Sequence, residues 1–112
     1  MIVKITAVSY LNTIPFIYGL QQSDLIDIID LSLDYPAVCA EKLINNEVDL
    51  ALAPIVAIPS LKKSFVISDY CIGANGVVET VCLYSNVTIH NVQSISLDYQ
   101  SRTSVTLLKI LL

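Results

Sequence analysis

The sequence predicts an α/β domain whose sheet is mostly parallel and is flanked by helices. Through residue 53, apolar runs of strand length alternate with helical patterns in the order strand, helix, strand, helix, strand. This order implies parallel strands joined by right-handed crossovers. Residues 48–53 are almost continuously apolar, which is typical of a strand buried on both faces.

Local signals support each element of this first half. Residues 2–8 are rich in β-branched side chains, which favours a strand. Pro15 and Pro36 lie near the first positions of two helical patterns, where proline is tolerated because its missing N–H would have no helical partner. Residues 26–33 form a second strand-like run between the two helices.

The second half predicts three further strands, at residues 65–72, 77–84 and 95–98. Glycines and an asparagine at residues 73–76 indicate a turn between the first two of them. Residues 101–112 predict a helix that ends in apolar side chains without a glycine or polar cap. We therefore expect the chain to be a fragment of a longer protein.

Composition excludes several classes of protein. The 112 residues are 54% hydrophobic and only 14% charged, so disorder is not expected. The net charge of −4 and the lack of a basic stripe disfavour nucleic-acid binding. The densest apolar run, residues 50–59, is too short to cross a membrane and contains Pro54. The start does not resemble a signal peptide, so we expect a cytoplasmic protein.

Metal and redox chemistry have no sequence support. The three cysteines are Cys39, Cys71 and Cys82, with no CxxC spacing, and each is expected to be a small buried side chain. His90 is the only histidine, which excludes a metal site of several histidines within these residues. No metal and no organic cofactor is predicted.

Polar side chains follow several of the predicted strands, at the edge where parallel α/β sheets bind ligands. They fall into two groups at helix starts, one around Asn12 and one formed by residues 101–104. Free N–H groups at a helix start favour a carboxylate or phosphate. Both groups could instead be ordinary helix caps. An isolated arginine such as Arg102 is more often a solvated surface residue than a carboxylate clamp.

Four segments resemble the chorismate dehydratase family of the futalosine route to menaquinone. They are residues 7–20 (AVSYLNTIPFIYGL), 33–58 (LDYPAVCAEKLINNEVDLALAPIVAI), 68–87 (SDYCIGANGVVETVCLYSNV) and 96–112 (SLDYQSRTSVTLLKILL). The motifs SYLNT and SRTS are specific together because they occur in the same order at a matching separation. At residues 99 and 100, Tyr and Gln replace smaller family residues, which could narrow the cleft.

The resemblance implies a type 2 periplasmic-binding-protein fold with two lobes around a cleft. Residues 1–93 would form the first part of lobe one, and residues 94–112 the beginning of a lobe two whose remainder is absent. The implied site has Asn12 as the catalytic residue. Substrate would be bound by Ser9, Ser85, Ser101, Arg102, Thr103 and Ser104. The expected partner is chorismate, a small dicarboxylate.

The implied reaction converts chorismate to 3-[(1-carboxyvinyl)oxy]benzoate, although the isolated chain is expected to be inactive. SYLNT and SRTS contain no good base near neutral pH. We therefore expect the substrate's own enolpyruvyl carboxylate to accept the proton while Asn12 orients it. Two alternatives stay open: a non-catalytic carboxylate-binding protein of the same fold, and the naphthoate-ring-forming enzyme of the same pathway.

Overall fold

Three parallel strands form the sheet in the computed structural model, which describes residues 2–112. Strand β1 is Val3–Val8, β2 is Ile29–Asp34 and β3 is Leu50–Ala51, and they lie in the order β2-β1-β3. Val3 pairs with Ile29, and Ile5 pairs with Leu50. The predicted parallel α/β architecture is confirmed for this first half.

The helices follow the predicted order. Helix α1 is Ile14–Gln21, α2 is Pro36–Ile44 and α3 is Thr103–Leu111, and a proline lies in the first turn of both α1 and α2. Short 3₁₀ segments connect the elements at Leu11–Thr13, Asp24–Ile28, Ile55–Ser60 and Ile89–Asn91. None of the helices in residues 2–112 has the length and apolar character required to span a bilayer.

The core lies between β1 and α2. Its buried apolar members are Ile5, Ala7 and Val8 from the strand, Cys39 and Ala40 from the helix, and Ala57 from the 3₁₀ segment Ile55–Ser60. Small side chains in α2 let the helix backbone approach the sheet closely. The carboxyl ends of the strands are therefore held in fixed positions, and the polar segments that follow them start from a rigid base.

The three strands predicted at residues 65–72, 77–84 and 95–98 are wrong, because none of these segments is in a strand. A strand requires a neighbour that pairs with its backbone N–H and C=O groups, and these segments have no such neighbour among the described residues. Their apolar side chains are largely exposed, including Phe65 at 76% and Val77 at 91%. The β-branched content that indicated strands is present, but no strand pairing accompanies it.

The cysteines divide into two classes. Cys39 is fully buried, as predicted, whereas Cys71 and Cys82 are exposed and contradict the prediction. The two exposed thiols lie in the part of the chain without regular structure, where no core exists to cover them.

Only Cys71 and Cys82 are expected to react rapidly with iodoacetamide under native conditions. Burial raises the pKa of Cys39, which disfavours the reactive thiolate and adds to its inaccessibility. Mass spectrometry of the native chain should show two fast additions and a third after denaturation. A Cys71→Ser/Cys82→Ser variant should show none until it unfolds, and rapid native labelling of that variant would contradict the buried position of Cys39.

Candidate functional site

The ends of β1 and β2 lie side by side. The Ser9 N–H donates to the Asp34 carbonyl at 2.9 Å, which continues the β1–β2 pairing beyond the last strand residues. The chain then turns through Leu11–Thr13 into α1, and this turn exposes Ser9 and Asn12 to solvent. Both predicted residues thus lie at the carboxyl edge of the sheet, where their polar groups are accessible.

Thr13 is buried beneath this exposed turn. Its relative exposure is 0%, and its hydroxyl has no hydrogen-bond partner among the described residues. It occupies the N-cap position of α1, but its side chain makes no capping bond. The free N–H groups at the start of α1 are consequently not satisfied by this hydroxyl.

Gln100 bridges the two strand ends. The Tyr10 hydroxyl donates to Gln100 Oε1 at 2.9 Å, and the Ala37 N–H donates to the Gln100 carbonyl at 3.1 Å. In addition, the rings of Tyr35 and Tyr99 meet edge to face with centroids 6.3 Å apart. Three separate contacts therefore fix residues 99 and 100 against the segments that follow β1 and β2.

The Tyr10 hydroxyl is held in its neutral, proton-donating form. Burial raises its pKa, and the charges of Asp98, Tyr35 and Tyr99 act in the same direction. A tyrosine hydroxyl is protonated in the physiological range even at its ordinary pKa, and the raised pKa extends this state to higher pH, so Tyr10 remains a donor to Gln100. Tyr10, Tyr35 and Gln100 were not predicted as site residues, although Tyr35 directly follows β2 and Tyr10 lies two residues after β1.

The second predicted group begins immediately after Gln100. Thr103 opens α3 and is exposed, while Ser101, Arg102 and Ser104 are partly exposed. The Ser104 N–H donates to Ser101 Oγ at 3.3 Å, so Ser101 acts partly as the helix cap that the alternative interpretation proposed. Helix α3 lies near the 3₁₀ segment Ile55–Ser60, which follows β3. The SRTS motif is thus placed at the same edge of the sheet as SYLNT.

Ser85 is placed differently. Its hydroxyl donates to the Val87 carbonyl at 2.8 Å and accepts from the Val87 N–H at 3.2 Å, which closes a local turn. Within residues 2–112, no hydrogen bond joins Ser85 to another predicted site residue. The structure brings the SYLNT and SRTS motifs to one edge and leaves Ser85 in an exposed connecting segment.

Asp34 organises a polar network under this edge. Its Oδ2 accepts from Thr6 Oγ1 at 2.8 Å, from Ser32 Oγ at 2.9 Å and from the Lys42 ammonium. Burial alone would raise the pKa of Asp34, but donation from Lys42, Thr6 and Ser32 outweighs burial, so the pKa is lowered. By helical periodicity, Lys42 lies on the polar side of α2. It nevertheless reaches back to Asp34 and is only 26% exposed.

Two cavities open on the surface of the described chain. One, of about 200 Å³, is lined by Lys4, Ile5, Asp30, Ser32, Lys42, Glu47 and Val48. The other, of about 330 Å³, is lined by Ile89, Val92, Gln93, Ser94, Ile95 and Leu112. Neither is lined by a predicted site residue. Ser9, Asn12 and Thr103 are each exposed to solvent.

The strand-end edge presents mainly neutral donors. Hydroxyl groups of Ser9 and Thr103, the amide of Asn12 and free helical N–H groups can bind an anion without a metal or a basic cluster. Arg102, partly exposed beside them, adds one positive charge. Among residues 2–112, no group of three or more His, Cys, Asp or Glu side chains is arranged to hold a metal ion.

Comparison with known proteins supports the menaquinone pathway that the sequence resemblance indicated. A family model described as menaquinone biosynthesis matches residues 3–112, nearly the whole chain. No solved structure gives a significant match. With its three parallel strands, its polar strand ends and this match over almost its full length, the chain belongs to the menaquinone biosynthesis family.

Proposed function

We propose that this chain belongs to a chorismate dehydratase, a carbon–oxygen lyase that converts chorismate to 3-[(1-carboxyvinyl)oxy]benzoate. Family membership supports a role in menaquinone biosynthesis. The observation that carries the finer assignment is the meeting of the SYLNT and SRTS motifs at one sheet edge, joined through Tyr10 and Gln100. These two motifs are the ones on which the resemblance to chorismate dehydratases depends.

Chorismate matches the chemistry of this edge because it carries two carboxylates. Asn12 and Ser9 would contact one end of the substrate after β1. The start of α3 would bind the other carboxylate through the hydroxyls of Thr103 and Ser104 and through the N–H groups that Ser101 does not cap. Ser101 and Arg102 border the same helix start, and Arg102 can supply charge-assisted hydrogen bonds.

The proposed architecture is a two-lobed cleft of the type 2 periplasmic-binding-protein kind. Residues 1–93 would contribute to lobe one and residues 94–112 would open lobe two. Ser85 would contact substrate near the connection between the lobes. Closure of the two lobes over chorismate would exclude water from the reacting ring.

The reaction needs little covalent participation by the protein. The substrate's enolpyruvyl carboxylate removes the ring proton beside the ether oxygen, and the resulting anion is delocalised toward the ring carboxylate. The neighbouring hydroxyl then leaves and takes up the proton, so that water is released and the ring becomes aromatic. Aromatisation supplies the driving force, and Asn12 orients the carboxylate that accepts the proton.

Chorismate binding and turnover test this proposal separately. We expect chorismate to perturb the NMR amide signals of Asn12, Thr103 and Ser104 in the 112-residue chain. We expect the full-length product of its gene to release 3-[(1-carboxyvinyl)oxy]benzoate, detected by mass spectrometry. Succinate, a smaller dicarboxylate, serves as the control ligand for specificity.

Each other outcome has a definite meaning. Binding of chorismate without turnover by the full-length product would favour a non-catalytic carboxylate-binding protein. Turnover of a later pathway intermediate to the naphthoate ring, with none of chorismate, would identify the sister enzyme. Absence of both binding and turnover would contradict the proposal.

A further inference from the structure

We infer that the hydrogen-bonded pair Tyr10 and Gln100 is a positioning clasp. It holds the start of α3 against the carboxyl end of the sheet. It thereby sets the spacing between Asn12 and the SRTS motif. This inference deepens the proposed function and rests on it for the identity of the ligand. The clasp itself is defined by contacts that do not depend on any ligand.

The geometry of Gln100 uses both its side chain and its backbone. Its side-chain Oε1 accepts from the Tyr10 hydroxyl at 2.9 Å, and its backbone carbonyl accepts from the Ala37 N–H at 3.1 Å. Tyr10 follows β1, whereas Ala37 lies in the first turn of α2, which follows β2. One residue is therefore tied to two adjacent connections of the sheet and cannot move away from the edge unless both bonds break.

Neighbouring contacts stiffen residues 98–100. Asp98 Oδ1 accepts from the Gln100 N–H at 3.0 Å, and Gln100 Nε2 donates to the Tyr99 hydroxyl at 3.0 Å. The Tyr99 ring also packs edge-on against Tyr35. The side-chain amide of Gln100 thus uses both its oxygen and its nitrogen, which fixes its orientation.

Gln100 lies close in sequence to the helix start that carries the SRTS motif. Gln100 directly precedes Ser101, and α3 begins three residues after Gln100 at Thr103. With so short a connection, any shift of Gln100 moves the free N–H groups at the start of α3. Ligand binding at two separate motifs depends on their spacing, and displacement by about 1 Å is enough to lower the efficiency of a binding or catalytic site.

The test combines hydrogen exchange with ligand binding in three variants. Tyr10→Phe and Gln100→Leu each remove one partner of the bond, and the double variant removes both. Tyr18→Phe is the matched control, because Tyr18 is 63% exposed and its hydroxyl makes no hydrogen bond among residues 2–112. Amide exchange is followed at Ala37, and the dissociation constant is measured for chorismate.

We expect hydrogen exchange of the Ala37 amide to be about fivefold faster in Tyr10→Phe and in Gln100→Leu, because each substitution removes the Tyr10–Gln100 hydrogen bond. Chorismate binding should weaken by about the same factor. The double variant should resemble either single variant, because the two side chains act as one unit. Tyr18→Phe should match the wild type in both measurements.

Failure of the clasp and failure of the proposed function give different results. Unchanged exchange at Ala37 in both single variants would overturn the clasp. Faster exchange with unchanged chorismate affinity would overturn its positioning role. If the wild type does not bind chorismate while exchange at Ala37 still depends on Tyr10 and Gln100, the clasp stands and the proposed ligand is wrong.

Discussion

Replacing Asn12 with alanine in the full-length gene product is expected to lower kcat for chorismate by about 10²–10³-fold while KM changes little. Removing one preorganised donor at a developing charge typically has an effect of this size. Asn12 is exposed at the strand-end edge, in the 3₁₀ turn that precedes α1, so its side chain can contact a ligand without movement of the core. Steady-state kinetics with product detection by mass spectrometry provide the measurement.

Asn91→Ala provides the matched control for this experiment. Asn91 is also an exposed asparagine in a 3₁₀ segment, Ile89–Asn91, but it belongs to neither motif. Its kinetics should equal those of the wild type. If Asn12→Ala reduced binding and kcat/KM equally with kcat unchanged, Asn12 would be a binding residue and not the residue that orients proton transfer.

Replacing Asp34 with asparagine is expected to lower the free energy of unfolding at neutral pH by about 1–3 kcal/mol, the range for hydrogen bonds to charged groups. The carboxylate accepts from Thr6, Ser32 and Lys42, and both members of its ion pair are more than two-thirds buried, at 20% and 26% exposure. Asparagine would keep an acceptor for Thr6 but leave the Lys42 ammonium without its counter-charge. Urea denaturation at pH 7 provides the measurement.

The same network predicts how stability depends on pH. Because the pKa of Asp34 is lowered in the folded state, its contribution is fully present above the ordinary aspartate pKa of about 3.9 and is lost as the pH falls below that value. The wild-type and Asp34→Asn curves should therefore converge in acid. Asp30→Asn, on the same strand but exposed, is the control, and an equal loss of stability there would contradict the special role of Asp34.

The sequence predicted the first half of the fold well because its signals are local. Proline in the first turn of α1 and α2, β-branched residues in β1 and the βαβαβ order each act within a few residues. Strand limits were less accurate. Strand β2 begins at Ile29 and not at residue 26, because Ser23 caps a 3₁₀ segment, Asp24–Ile28, and its Oγ accepts from the Leu25 N–H.

Contacts between distant residues could not be read from local patterns. Tyr10 meets Gln100, and Tyr35 meets Tyr99, only because the parallel strands bring their following segments together. Lys42 lies on the polar side of α2 by periodicity, yet its long side chain reaches Asp34. The segments at residues 65–72 and 77–84 have strand-like composition, but composition alone does not supply the paired neighbour that a strand needs.

The long span of the Tyr10–Gln100 bond has a consequence for the order of folding. This bond joins residues 90 positions apart, whereas the bond from Thr6 to Asp34 spans only 28. The entropic cost of closing a loop rises with its length, so the sheet and α2 should assemble before Gln100 docks. Synthesis from the amino terminus favours the same order of assembly, because all three strands emerge from the ribosome before Gln100. The amide of Ala37 should therefore gain its protection in the last stage of folding.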